Sequence, residues 1–196
     1  MSKLREQLRQ IAVHSLDYPG RENLRTRVTP PGAAVCVLFS GTDFESAKIL
    51  LTERSQDVKT HRGQVAFPGG RYEDHDLGDA SRAAIRECEE EVGIASSAIE
   101  SIGTLPLFPT KSGDFEVIPV ICMIERMAPL ILQQEEVAKA EWVSVRELRA
   151  SRVLEKVQLR ELEVEAPVFT WGARKMWGLS AWIFDLILLR YDTISV

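Results

Sequence analysis

The stretch FPGGRYEDHDLGDASRAAIRECEEEVGI, residues 67–94, carries four glutamates in its ECEEE run. Like charges one helical turn apart repel, so such a run costs stability unless a counter-charge offsets it. The surrounding residues predict a helix over 79–92: Asp79 suits the N-cap, and Gly93 stands where a glycine ends a helix. Wound onto that helix, Glu87, Glu90 and Glu91 occupy about one third of the circumference. Ile85, Cys88 and Val92 form a separate apolar stripe, the face that anchors the helix to a sheet. A charge run is most often a solvated face. Three carboxylates on one rigid side are also the oxygen-rich ligand set that Mg²⁺ prefers, leaving coordination positions for water and phosphate. Arg86 is placed to neutralise or orient one of them.

Working outward, GQVAFPGG (63–70) reads as a short strand ended by Pro-Gly-Gly. AAVCVLFS (33–40) and AKILLTERS (47–55) are β-rich apolar runs. AIESIGTLPLF and FEVIPVICMIE (115–125) are further strands, joined by the loop PTKSGD. AEWVSVREL reads as a strand entering a short helix, and RKMWGLSAWIFDLILLRY (174–191) as a helix hydrophobic over much of its surface. At the start, Leu4, Leu8, Ile11 and Leu16 recur at helical spacing, and 17–32 is an extended, proline-bearing connection. The expected organisation is an N-terminal helix and connection over 1–32 and an α/β domain over 33–196. That domain has a mixed sheet between helical layers.

The chain has 196 residues, 45% hydrophobic and 27% charged, with a net charge of −5. That balance argues against a generic nucleic-acid binder, which carries a basic footprint. Three cysteines without paired spacing suggest neither a disulfide framework nor a zinc site. The N-terminus lacks the apolar core of a secretory signal, and the most apolar segment (178–189) is short and interrupted by Asp185. The expectation is a soluble cytoplasmic protein. No Ser/His/Asp or Cys/His pattern emerges, and Trp171, Trp177 and Trp182 read as packing residues.

The order RECEEEVGI fits the pattern R-E-U-x-E-E-x-G-U, where U is apolar, with Arg86, Glu87, Cys88, Glu90, Glu91, Gly93 and Ile94 in the named positions. This resembles the Nudix box of hydrolases that cleave nucleoside diphosphates linked to another moiety. Glu89 falls at the variable position. One departure stands out: the box asks for a glycine fourteen residues before the arginine and a glutamate eight before it. Those positions hold Tyr72 and Gly78, and Gly70 lies sixteen before Arg86. The glutamate that braces the arginine is therefore missing, and Asp76 and Asp79 are both candidates to replace it.

Upstream, LLTERSQDVKTHRGQVAFPGG (50–70) resembles the signature of the coenzyme A pyrophosphatase subgroup, with Leu50, Leu51, Thr52, Arg54, Ser55, Gly63, Phe67, Pro68, Gly69 and Gly70 matching and Lys59 in place of a commoner arginine. SGDFEVIPV, the acidic EEVAKAEWVSVREL and the Trp-Gly of the last helix extend the likeness. The resemblance implies a Nudix-type α/β/α sandwich. It implies Mg²⁺ or Mn²⁺ held by Glu87, Glu90 and Glu91, with Arg86 assisting, and a base that resembles Glu136, with Glu135 the alternative. It further implies hydrolysis of coenzyme A to 3′,5′-adenosine diphosphate and 4′-phosphopantetheine. Arg54, Lys59, Arg62, Phe67, Gly69, Gly70 and Arg71 are the candidate substrate contacts. The competing readings are a Nudix enzyme for ADP-ribose, NADH or a nucleotide sugar, a non-catalytic nucleotide-binding domain, and a purely structural acidic cluster. Neither nucleic acid nor membrane is an expected partner, and the N-terminal helix is a candidate dimer contact.

Overall fold

A computed structural model describes residues 2–15, 32–56, 62–110, 116–159 and 162–195. Its organising element is strand β1 (Ala33–Ser40), buried along nearly its whole length. Successive side chains of a strand point to opposite faces, so an unbroken apolar run needs cover on both. Val37 and Phe39 enter one core with Leu4, Leu8, Phe44, Phe169, Phe184 and Ile187. Ala34, Cys36 and Leu38 enter a second core with Ala83, Ala84, Cys88 and Val92. The first core is covered by α1 (Lys3–Val13) and by α4 (Leu179–Ile194), the second by α2 (Ala80–Val92). The result is a mixed sheet between helical layers, as the apolar patterning predicts.

Around β1 lie β2 (Lys48–Arg54), β3 (Val65–Ala66), β4 (Gly69–Arg71), β5 (Glu100–Thr104), β6 (Phe108–Pro109), β7 (Glu116–Met123) and β8 (Val137–Ser144). Together they form an eight-stranded sheet. β7 runs parallel to β1, pairing Ala33 with Val117 through to Phe39 with Met123. The opposite edge of β1 is shared: β2 takes its C-terminal end, and β4 takes its N-terminal end through Ala33–Arg71, Ala34–Gly70 and Val35–Gly69. The expected single strand over 63–70 is thus two short ones. Pro68 lacks an N–H and so cannot continue a ladder as donor, yet its carbonyl accepts from Cys36 N at 2.7 Å.

The N-terminal helix forms as its spacing predicts, with Ser2 capping it. Leu4, Leu8 and Ile11 are fully buried in the first core. That stripe is therefore used within the chain and is not free for a partner. Leu16 and the connection over 17–31 lie outside the described residues.

Two corrections concern the C-terminal part. Between α3 (Val145–Ala150) and α4, a second sheet forms from β9 (Val153–Leu159), β10 (Leu162–Trp171) and β11 (Arg174–Met176). No element was expected over 149–173, although Leu162–Ala166 alternates apolar and polar residues as a half-buried strand does. The last helix begins at Leu179 rather than at 174, because Arg174–Met176 pairs with Phe169–Trp171 and Gly178 turns the chain at φ 67°. Among the described residues no helix is long and apolar enough to cross a membrane.

Candidate active site

The site assembles where the Gly-Gly turn meets α2. Asp79 caps the helix, accepting from Ser81 N at 2.8 Å and Arg82 N at 3.3 Å. Gly93 ends it in the left-handed conformation at φ 71°, and its Cα lies so close to the next segment that a Cβ would stand 2.8 Å from Ile131 Cβ. The helix axis is thereby fixed at both ends, and its acidic side faces β4.

Arg86 is the hub of that side. Its Nε and Nη2 grip both oxygens of Asp76, at 3.2 and 3.0 Å, and Nη2 also donates to the Arg71 carbonyl at 3.0 Å. Its Nη1 donates to Glu87 Oε1 and Glu90 Oε2, each at 2.9 Å. Asp76, 1% exposed, is therefore the residue that braces the arginine, and Asp79 is already used as the N-cap. The two-oxygen fork is geometry a guanidinium supplies and an ammonium does not. Arg86 holds the Asp76 carboxyl below the usual carboxylate range, assisted by the Glu73 N–H, which donates to Asp76 at 2.8 Å. The carboxylates in turn push Arg86 further above its ordinary value.

Glu91 is the most perturbed of the acids. Its side chain is 4% exposed. Burial, then the neighbouring charge of Glu87, raises its pKa to about 8 against the opposing pull of Arg54 and a hydrogen bond from the Gly69 N–H; Glu136 adds to the upward push. Glu87 is raised as well, first by burial and further by Glu90 and Glu136, while Arg86 draws it down. Three elements thus bring Glu87, Glu91, Glu136 and Arg54 within electrostatic reach of one another. Glu87 and Glu91, raised by burial and by the charge of neighbouring acids, are the kind of carboxylates a divalent cation relieves, so the donor chemistry fits a hard, oxygen-seeking ion. Among the described residues no three such side chains already converge as a ligand set. Glu87 and Glu90 rest on Arg86 instead.

The remaining sequence candidates separate clearly. Gly70 is required by proximity: a Cβ there would fall 2.3 Å from Glu87 Oε1. At Gly69 a Cβ would fall 2.5 Å from the Ala34 carbonyl oxygen. Arg54 reaches the acidic cluster, and its Nε is buried without a hydrogen-bond partner. Arg62 and Arg71 are exposed at the loop. Phe67 is 3% exposed and packs in the first core, so its ring anchors the loop rather than lining an open surface. Lys59 lies outside the described residues, as do positions 111–115.

Glu136 is exposed and is tied to the site through its backbone: its carbonyl accepts from Ser55 N at 2.8 Å. The same segment hydrogen-bonds the end of α2, Ile131 N to Val92 O at 2.9 Å and Gln133 N to Glu91 O at 3.0 Å. Glu89 faces away from the cluster and accepts from Ser96 N at 3.1 Å, holding the following turn. Of the tryptophans, Trp171 is buried and donates to Glu141 at 2.7 Å, Trp182 packs against the core, and Trp177 is half exposed. The residue that sequence reasoning left unplaced is Tyr72, whose hydroxyl is buried beside α2 without a partner.

A mixed sheet between helices, with a Gly-Gly turn laid against a glutamate-bearing helix and an arginine clamp between them, defines a class of fold and site. The chain belongs to the Nudix family: the NUDIX domain model matches residues 29–165. A Nudix hydrolase NudL of Escherichia coli K12, described as uncharacterized, is 46% identical over 90 residues. The NudL of Shigella boydii is likewise 46% identical over 90 residues. These matches span under half of the curated relatives' length, 46% of each. Among solved structures, the Mycobacterium smegmatis Nudix hydrolase RenU superposes with a TM-score of 0.55 at 17% identity, covering 85% of this chain and 87% of its own. A MutT/nudix family protein of Enterococcus faecalis gives 0.52 at 20% identity, covering 98% and 75%. At those identities the likeness is one of fold.

Proposed function

We propose that the protein hydrolyses the pyrophosphate bond of coenzyme A or a derivative of it, releasing 3′,5′-adenosine diphosphate and 4′-phosphopantetheine. The observation that carries the hydrolase reading is the buried Glu91 carboxylate, raised to about 8 beside Glu87 and Glu136 and met by the Gly69 N–H. The coenzyme A reading rests on the LLTERS and FPGG motifs that bracket the same site. Glu87, Glu90 and Glu91 would hold Mg²⁺ or Mn²⁺, which would supply a Lewis acid for the pyrophosphate oxygens and lower the pKa of the attacking water.

The chain's own groups do the rest. Arg86, locked by Asp76, holds Glu87 and Glu90 in one orientation. Gly70 leaves room for the Glu87 carboxylate to lie against the loop. Glu136, whose charge reaches Glu87 and Glu91, is the proposed base for the attacking water, with Glu135 the alternative, and Arg54 offsets negative charge on the substrate in an otherwise acidic chain.

The test offers purified protein coenzyme A, ADP-ribose, NADH and a diadenosine polyphosphate with Mg²⁺ or Mn²⁺, beside a Glu91→Gln control. Metal-dependent turnover of coenzyme A that the control lacks is the expected result. Equal rates for both proteins overturn the metal-site reading, and faster turnover of ADP-ribose overturns the substrate assignment alone.

A further inference from the structure

Beside the candidate site the pairing of β2 with β8 slips by one residue. From Lys48–Ser144 to Glu53–Lys139 the two strands pair in unbroken register. The next pair is Arg54 with Val137, so Ala138 is passed over as a bulge. A bulge re-aims the strand beyond it and is a common device next to active sites. Here the slip brings Glu136 opposite Ser55, whose N–H donates to the Glu136 carbonyl at 2.8 Å. An unbroken register would set Val137 there and carry Glu136 one residue further from Arg54.

Glu136 is also held from the side of α2. Its N–H and the Val137 N–H both donate to the Gln133 carbonyl, at 3.0 and 2.9 Å. The Gln133 N–H donates in turn to the Glu91 carbonyl at 3.0 Å. Backbone hydrogen bonds therefore run in series from Ser55, next to Arg54, through Glu136 and Gln133 to Glu91. The side chain of Gln133 closes the turn: its Oε1 accepts from the Glu135 N–H at 2.9 Å. A side-chain acceptor that takes the N–H two residues on stands in for a backbone turn bond. Gln133 itself is exposed, so its side chain has no core to fill.

We propose that Gln133 is a positioning residue for Glu136: its side chain locks the turn over 133–136, and that turn and the bulge at Ala138 together set where the Glu136 carboxylate stands against Glu87 and Glu91. The inference rests on the reading of Glu136 as the base. A base acts only from within hydrogen-bond reach of the proton it takes, and a displacement of about 1 Å is costly in rate.

Gln133→Met keeps the length of the side chain and removes its acceptor, whereas Gln133→Glu keeps an acceptor at the same reach. With coenzyme A and Mn²⁺, Gln133→Met should lower kcat about tenfold or more and leave KM nearly unchanged, and Gln133→Glu should restore kcat. In a Glu136→Gln background, Gln133→Met should have no further effect, because its action runs through the carboxylate already removed. Amide exchange followed by NMR reads the turn without turnover. The Glu136 N–H should exchange about tenfold faster in Gln133→Met, at the wild-type rate in Gln133→Glu, and with the same thermal midpoint in all three proteins. The proposal is overturned if the Glu136 amide does not respond to Gln133→Met, or if Gln133→Met lowers kcat equally with and without Glu136. A wild-type protein inactive on every substrate offered, with the Glu136 amide still responding, refutes the hydrolase reading and supports the positioning of Glu136.

Discussion

Replacing Glu91 by glutamine should make the metal-free protein more stable while removing its response to metal. A glutamate titrates near 4.5 in an unfolded chain, and here it is raised to about 8, chiefly by burial and by the charge of Glu87. Below about pH 4.5 the group is protonated in both states and costs nothing. Between there and about pH 8 the unfolded chain releases its proton while the folded chain keeps it, so stability falls as pH rises. At pH 7 the loss amounts to about 2.5 pK units, or about 3 kcal/mol at 1.36 kcal/mol per unit. Glutamine preserves the shape, still accepts from the Gly69 N–H, and does not ionise.

Thermal unfolding in chelator, followed by circular dichroism at pH 5, 7 and 8, reads the difference. At about 2–4 °C per kcal/mol for a domain of this size, Glu91→Gln should raise the midpoint by roughly 6–12 °C at pH 7 and by little at pH 5. Adding Mn²⁺ should stabilise the wild type and leave the variant where it was. A variant no more stable than wild type at pH 8, or a gap that does not grow with pH, would refute the reasoning.

Other outcomes follow from the same geometry. Asp76→Ala leaves Arg86 without its two-oxygen partner and should cost about 3 kcal/mol in urea unfolding. Because the Asp76 carboxyl is held below its ordinary range, its contribution is present at neutral pH and should fade as the pH drops through that range, visible as a loss of wild-type stability that Asp76→Ala does not share. Gly70→Ala drives a methyl into the Glu87 carboxylate and should lower metal-dependent turnover about tenfold or more, while the circular dichroism spectrum stays unchanged. Glu89→Gln should leave turnover intact, whereas Glu90→Gln should not; equal losses would show that the acidic run acts as a uniform face. Leu8→Ala should cost about 2–5 kcal/mol in unfolding, because the N-terminal helix is part of the first core.

Much of this was legible along the chain. The limits of α2, its cap at Asp79 and its glycine stop are local events, set by side chains reaching backbone groups within a turn. β1 was legible for the same reason that it is central: a run that is apolar on both faces has to be covered on both. The second sheet was harder to read: the alternation over Leu162–Ala166 is short, and what stabilises the sheet is the pairing of β9 with β10 and the packing of β10 on α3 and α4, contacts between segments distant along the chain.

The sequence by itself determined which residue types stand in the acidic helix, in what order, and that a Gly-Gly turn precedes it. It left Asp76 and Asp79 equivalent as braces for Arg86, since both lie within reach along the chain. Only the tertiary structure separated them. A turn over Asp74–Asp76, closed by Leu77 in the left-handed conformation, sends the Asp76 carboxylate inward onto the guanidinium, while Asp79 caps the helix. The depth of Glu91 was likewise decided in three dimensions. Neighbouring glutamates are chemically identical in the sequence, and their charges differ in cost because the fold puts one in a low-dielectric interior and leaves another in water.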